Sequence, residues 1–260
     1  MPLNQGNAIL SAANNGHLES LEFLLSKGAD VNKITPNRGT PLIVAANNGH
    51  LGTVKFLVES GADIDLISPN QGTALLAAAN NGHLKTVKFL LEKGADINRE
   101  TANRGTALIV AANNGQLRTV EFLLGEGAKV NQVSQNRGSA LLVAANNNQT
   151  ETVKLLLSKG AEINQITANR GTALLVAANN GHLNMVKYLI GEGATIDLVT
   201  QNRGTALSTA VRNRHFEVVK YLLENGADPY KNSNNQYPMY HARRNNDKKM
   251  IKLLESYAKE

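Results

Sequence analysis

Apolar and polar positions alternate along this chain in a fixed order. A short cluster at Leu42, Ala45 and Ala46 is followed by a polar break at Asn47, Asn48, Gly49 and His50. A longer apolar run through Val54, Phe56, Leu57 and Val58 then ends at Gly61. The stretch Arg38 to Gly61 returns almost unchanged from Gln71, Arg104, Arg137, Arg170 and Arg203, each 33 residues on. Gly6, Gly39, Gly72, Gly105, Gly138, Gly171 and Gly204 mark the same register. A constant period of this size indicates stacked repeats rather than one globular core.

Local chemistry assigns the elements within a unit. Thr40 offers a hydroxyl to the unpaired amides of a helix start, and Pro41 follows where a missing N–H costs nothing. Leu42, Ala45 and Ala46 place one apolar face on a helix of about two turns, which Gly49 ends in the left-handed conformation. A second, more apolar helix runs through Val54 to Val58 and stops at Gly61. The link that follows is β-prone at Ile64 to Ile67 and closes on Pro69-Asn70-Gln71-Gly72, which is turn chemistry. Each unit is thus predicted to be helix, turn, helix and a protruding hairpin loop.

Thr-Pro-Leu-Ile-Val-Ala-Ala from Thr40, Asn-Asn-Gly-His-Leu from Asn47, Val-Lys-Phe-Leu-Val from Val54 and Gly-Ala-Asp-Ile-Asp from Gly61 together resemble the ankyrin repeat. The resemblance covers essentially the whole chain. It implies an all-α repeat fold: an ankyrin-type solenoid of helix-turn-helix units joined by β-hairpin loops, with a concave face lined by hairpin tips and the first helix, helix A. The expected organisation is a single solenoid, 1–260. A partial N-terminal repeat (1–38) precedes internal repeats 39–71, 72–104, 105–137, 138–170, 171–203 and 204–236, with a C-terminal cap at 237–260. Two features depart from the family pattern. Ile43, Leu76, Ile109, Leu142, Leu175 and Ser208 stand where the family has His, and the turn glycine comes one place later than in the family's Asp-x-x-Gly.

Composition narrows the classes of function. Without cysteine there is no disulfide framework and no thiolate metal site or nucleophile. The start MPLNQGNAIL has neither a basic flank nor a long apolar run, so no signal peptide or membrane span is expected and the protein is expected to be soluble and cytoplasmic. The family's frequent use by intracellular bacteria and large viruses also makes delivery into a host cell conceivable. Net charge is +6, and residues 201 to 260 carry 11 Lys and Arg against 6 Asp and Glu, so the basic excess lies towards the C-terminus. It suits an acidic partner or is simply a solvated face.

The irregular units are informative. In the first, Leu3, Ile9, Leu18, Leu21, Phe23 and Leu24 stay close to an internal repeat, although a terminal unit exposes a face that internal units bury. In the unit from Gly138, Ser139 replaces Thr, Asn148 replaces the helix-ending Gly and Thr150 replaces a Leu expected to be buried. That unit is the candidate soft joint, or ordinary drift. At the C-terminal end Met239, Tyr240 and Ala242 are expected to face the core, with Arg243, Arg244, Lys248, Lys249, Lys252 and Lys259 on the other faces of a polar cap.

Candidate chemistry is sparse. His17, His50, His83, His182 and His215 share one repeat position, so neighbours lie roughly 10 Å apart, too far for joint metal coordination at about 2.0 to 2.1 Å. A structural role in the inter-helix turn follows. The aromatic stripe Phe23, Phe56, Phe89, Phe122, Tyr188 and Tyr221 reads as core. No carboxylate pair, Ser/His/Asp grouping or phosphate-cradling glycine loop stands out, so no enzyme, cofactor or metal is expected.

What remains is a surface of repeated polar residues. The hairpin tips present Asn37, Asn70, Asn103, Asn136, Asn169 and Asn202, each followed by Arg38, Gln71, Arg104, Arg137, Arg170 or Arg203. The ends of helix A present five pairs: Asn47 with Asn48, Asn80 with Asn81, Asn113 with Asn114, Asn146 with Asn147, and Asn179 with Asn180. Such a ladder suits a protein or extended peptide, which advances about 3.3 Å per residue and so about three residues per repeat of roughly 10 Å. Asn could pair with peptide N–H and C=O, and Arg with carboxylates. The alternatives are solvated helix ends left by duplication, nucleic acid or another acidic partner on the basic residues, and end-to-end self-association of an otherwise monomeric protein. From the resemblance alone, Asn32, Asn98, Asn131 and Asn164 sit where some ankyrin proteins are hydroxylated.

Overall fold

The computed structural model describes residues 3–35, 37–168, 170–201, 203–231 and 237–258, and among them the chain forms sixteen α-helices. It divides into two compact units, residues 1–140 and 141–260. The first holds α1 (Leu3–Asn15), α2 (Leu18–Ser26), α3 (Pro41–Asn47), α4 (Leu51–Glu59), α5 (Ala74–Asn80), α6 (Leu84–Glu92), α7 (Ala107–Asn113) and α8 (Leu117–Gly125). The second opens with α9 (Ala140–Asn146), which begins at its edge. It continues through α10 (Thr150–Ser158), α11 (Ala173–Asn179), α12 (Leu183–Gly191), α13 (Ala206–Arg212), α14 (Phe216–Glu224), α15 (Pro238–Arg244) and α16 (Lys248–Ser256). Helices pair within a repeat, α3 with α4 for example, and like helices stack: α1, α3, α5 and α7 in succession in the first unit, α11, α13 and α15 in the second.

A helix A of seven residues is too short to stand alone, so its ends must be held by other groups. At the N-terminus the threonine expected to cap does so: Thr40, Thr73, Thr106 and Thr172 accept at Oγ1 from the amides of Ile43, Leu76, Ile109 and Leu175. Thr205 and Ser208 cap each other reciprocally. Along its length the helix is buried on almost every side, with Leu42, Ile43, Ala45 and Ala46 all in the core. Apolar packing therefore occupies the position where the family has His. Helix B buries one stripe only, Thr53, Val54 and Leu57 in α4 and the same positions in α6 and α8. The links hold less β structure than their composition suggests. Asp63 Oδ1 accepts from the Asp65 amide at 3.0 Å, turning the chain inside the Ile64 to Ile67 stretch. One antiparallel bridge, Ser68 to Gly72, closes the tip, and five other links close in the same way.

Three expectations about the core are corrected. The aromatic stripe lies mainly outside it: Phe23 is 61% exposed, Phe56, Phe122, Tyr188 and Tyr221 are half-buried, and only Phe89 is buried. Instead of an apolar neighbour, a lysine one repeat earlier lies over several of these rings, Lys55 on Phe89, Lys88 on Phe122, Lys154 on Tyr188 and Lys187 on Tyr221, at 5.0 to 6.0 Å from the centroids. The leucine that Thr150 replaces is not a core residue either. Leu51, Leu84 and Leu183 are half-buried and Leu117 is 39% exposed, so the half-buried Thr150 leaves no cavity. In the last repeat Tyr240 is exposed and His241 takes the buried place beside Met239 and Ala242. Burial, then the charges of Arg212 and Arg244, holds His241 below its ordinary pKa.

One turn position leaves little room for a side chain. Gly49 has φ +72°, and a Cβ placed there would lie 2.6 Å from Nδ1 of His83 in the following repeat. Gly61 has φ +88° but open space around it. Gly49→Ala is therefore expected to destabilise more than Gly61→Ala. Each should incur the left-handed penalty of about 1–2 kcal/mol, and Gly49→Ala should lose more because His83 must move. Urea unfolding of the two variants measures the difference.

Candidate protein-binding surface

The asparagine pairs are bonded from one repeat to the next. Asn81 donates from Nδ2 to both the backbone oxygen and Oδ1 of Asn47, at 2.7 and 3.0 Å, and Asn114 does the same to Asn80 at 2.9 Å. In the second unit Asn180 reaches Asn146, and Asn213 reaches Asn179. In each of these bonds the donor looks one repeat back.

Bonds also run within the pairs. Asn80 donates to Asn81, Asn113 to Asn114 and Asn179 to Asn180, all at 2.9 Å, and Asn146 donates to Asn147 at 3.0 Å. The sequence presents both members of each pair as open donors and acceptors. The structure differs: the side-chain oxygens of Asn81, Asn114, Asn147 and Asn180 already accept from their neighbours. Asn147 is exposed, yet its Oδ1 is engaged in this way. The physical reason is adjacency at the helix end, where consecutive amides lie close enough to satisfy one another.

The histidines complete the same joint. His83 Nε2 lies 2.9 Å from the Asn47 oxygen, and His50, His182 and His215 approach Asn14, Asn146 and Asn179 in the same way. Their expected structural role is thus an inter-repeat bond to a helix-end carbonyl. Gln116 makes the equivalent bond with its amide at 3.4 Å. Among the described residues no group of His, Asp or Glu could hold a metal ion.

The hairpin tips form a second column. In the first unit Arg104 donates from Nε to the Asn70 oxygen and from Nη2 to Gln71, and Arg137 from Nε to the Asn103 oxygen. Asn70, Asn103 and Asn136 likewise donate one repeat back, to Asn37, Pro69 and Ala102. Burial, and then the charge of Arg137, holds the Arg104 guanidinium below its ordinary pKa. The ion pairs among the described residues are Lys154 with Glu151 and Lys220 with Glu224, so no carboxylate there neutralises Arg38, Arg104 or Arg137. Arg170 and Arg203 are half-buried in the second unit, while Asn169 and Asn202 lie outside the described residues.

The two columns meet in one groove of the first unit. It has a volume of about 340 Å³ and gathers Asn37, Arg38, Asn47, Asn48 and Gln71 from the residues singled out in the sequence. Leu10, Ser11, Asn14, Ile43 and Val44 also line it. Reading the sequence missed these five because the first four are helix A positions assigned to the core or to a degenerate end, and Val44 is half-buried where Ala77, Val110, Val143 and Val176 at the same repeat position are buried.

The family model described as ankyrin repeats (3 copies) matches residues 8–101, 98–167, 141–233 and 174–259. The chain belongs to the ankyrin repeat family. Ankyrin repeats generally serve as protein–protein interaction modules, and the family is one of non-enzymatic scaffolds. Among solved structures, the crystal structure of the human ASB11 ankyrin repeat domain aligns with a TM-score of 0.72 at 28% identity, over 85% of this chain and 99% of that one. No curated protein matches the sequence. No helix among the described residues of this ankyrin protein is long and apolar enough to cross a membrane.

A third column runs along the loops after helix B. Asn32, Asn98 and Asn164 accept at Oδ1 from the amides of Asp63, Lys129 and Thr195, at 2.8 to 2.9 Å. These side chains, which the ankyrin resemblance places at hydroxylation positions, are therefore engaged in inter-repeat bonds. Asp197 accepts from the Asp228 amide at 3.1 and 3.2 Å. Its carboxyl is raised above the ordinary value by burial, against the lowering effect of that bond, with the Asp228 charge adding to the rise. A raised folded-state pKa means that the ionised form works against folding at neutral pH and that the opposition fades as pH falls through the folded pKa. Asp197→Asn keeps the acceptor without the charge, as Asn164 does, and is expected to raise the thermal midpoint at pH 7. The gain should shrink to nothing once pH drops below the carboxylate range, which thermal denaturation across pH 3 to 8 checks.

Proposed function

We propose that this ankyrin protein binds an extended, acidic segment of another protein along the face built from its hairpin tips and helix A ends. The observation that carries the reading is electrostatic: Arg38, Arg104 and Arg137 share that face without a carboxylate partner among the described residues. Burial, and then the charge of Arg137, holds the Arg104 guanidinium below its ordinary pKa. An acidic ligand would offset that charge, and guanidinium pairs with carboxylates bidentately.

The amides support the same reading. A primary amide carries two N–H donors. Asn80 gives one to Asn81 and Asn179 gives one to Asn180, which leaves a second on each, held in a fixed orientation. Fixed donors lose little freedom when a ligand arrives, so their bonds to peptide carbonyls contribute more net affinity than those of mobile side chains. Repeats spaced roughly 10 Å apart would meet an extended chain about every third residue.

The test uses the whole chain and a variant with Arg104, Arg137 and Arg170 changed to Gln, a side chain that Gln71 already places in this register. Both are presented with lysate proteins and with acidic and neutral peptide libraries. Retention of acidic ligands by the parent, with about tenfold or greater loss in the variant, is the expected outcome, since a hydrogen bond to a charged group contributes about 1.5–3 kcal/mol. Equal capture by both chains would remove the arginine column from the function, and displacement of the bound protein by duplex DNA would favour nucleic acid as the natural acidic partner.

A further inference from the structure

Arg38 differs from the other arginines of its column. Arg104 and Arg137 each give Nε to a hairpin carbonyl one repeat earlier, whereas Arg38 is exposed and its side chain makes no hydrogen bond or ion pair among the described residues. The register continues to Asn4, 34 residues before Arg38, but Asn4 lies inside α1 rather than in a hairpin tip, and no bond from Arg38 reaches it. Asn37 is similarly open. Its Oδ1 and backbone oxygen accept from Asn70 and Gln71, but its own side-chain nitrogen donates to nothing among the described residues. Asn37 also holds φ +68°, a conformation unusual for a residue with a Cβ, and the two bonds from the next repeat fix it there.

These free donors border an apolar floor. Leu10 and Ile43 lie beneath the groove, and Val44 is half-exposed while Ala77, Val110, Val143 and Val176 at the same repeat position are buried. The groove's volume of about 340 Å³ lies at the lower end of the range for small-ligand sites. A guanidinium with all five donors unused, two further amide N–H groups beside it and an adjacent apolar surface form a two-part recognition site.

We infer that the Arg38 groove is a specificity subsite for a carboxylate adjoining an apolar side chain. Arg38 and the Asn37 amide hold the carboxylate, while Val44 receives the apolar group. The inference deepens the proposed function and rests on it for the ligand being a polypeptide. The carboxylate belongs either to a Glu or Asp side chain within the segment or to its C-terminus.

The test titrates the isotope-labelled full chain with three small probes and follows the Arg38 Nε–H and Val44 methyl signals by NMR. N-acetyl-leucine carries a terminal carboxylate, N-acetyl-leucyl-glutamyl-amide a side-chain carboxylate, and N-acetyl-leucinamide none. Saturable shifts with one or both carboxylate probes, absent with the amide, are expected, and the probe that binds tells which carboxylate is read. Arg38→Ala should weaken binding by about tenfold or more, and Arg38→Lys, which keeps the charge but not the fork, by less. Arg118→Ala, on the exposed side of α8, should leave binding unchanged. Equal shifts with the amide, undiminished binding in Arg38→Ala, or no saturable shift with any probe would each overturn the subsite. A partner lost from the Arg104, Arg137 and Arg170 variant without any probe response would sink the subsite alone. Probe binding without that loss would sink the wider reading and leave the subsite standing.

Discussion

Within each unit, repeats are joined by hydrogen bonds that reach one repeat back, and most of the structure depends on that constraint. Helix A has seven residues and leaves carbonyls unpaired at its C-terminal end. Those carbonyls are covered by Asn81 and His83 acting on Asn47, and by their counterparts in later repeats. Neither group could satisfy its own repeat, because the acceptor lies 34 or 36 residues earlier in the chain. The polar surface and the apolar core therefore form together, in the nearest-neighbour manner of repeat proteins.

The same constraint explains which residues tolerate change. The histidine ring needs the space beside the preceding turn, so glycine serves there both for its positive φ and for its missing Cβ. Asn148 and Arg214 depart from glycine yet keep the left-handed conformation, at φ +57° and +62°. After Arg214 the following repeat has Asp247 instead of histidine, and Asp247 caps α16 through the Met250 amide at 3.0 Å. The two departures differ, since after Asn148 the following repeat keeps His182, 3.1 Å from the Asn146 oxygen. The arginine column follows the same direction of bonding, and Arg38 differs in making no such bond among the described residues.

The threonine caps, the glycine turns and the two helices of each unit were legible in the sequence because each depends on nearby residues, and the period was legible because those local signals recur at a constant spacing. The bonding of the asparagine pairs was not, since identical side chains one period apart look alike whether they face solvent or each other. Asn147 is such a case, outwardly a solvated helix end and in the fold an acceptor for Asn146. Phe122 and Tyr221 carry helical spacing that suits a core, but the lysine that lies over each ring comes from the neighbouring repeat. Tyr240 was expected in the core, and only the packing of α15 put His241 there instead.

The sequence by itself therefore determined the repeat, its elements and its family, because a 33-residue period with a local cap and stop in every unit allows one kind of stack. Tertiary structure decided what the repeated polar residues do. Asn47, Asn81 and Arg104 are fixed by bonds between repeats, and Arg38 is not, because hydrogen-bond direction is set by the neighbour's backbone position rather than by the identity of the side chain.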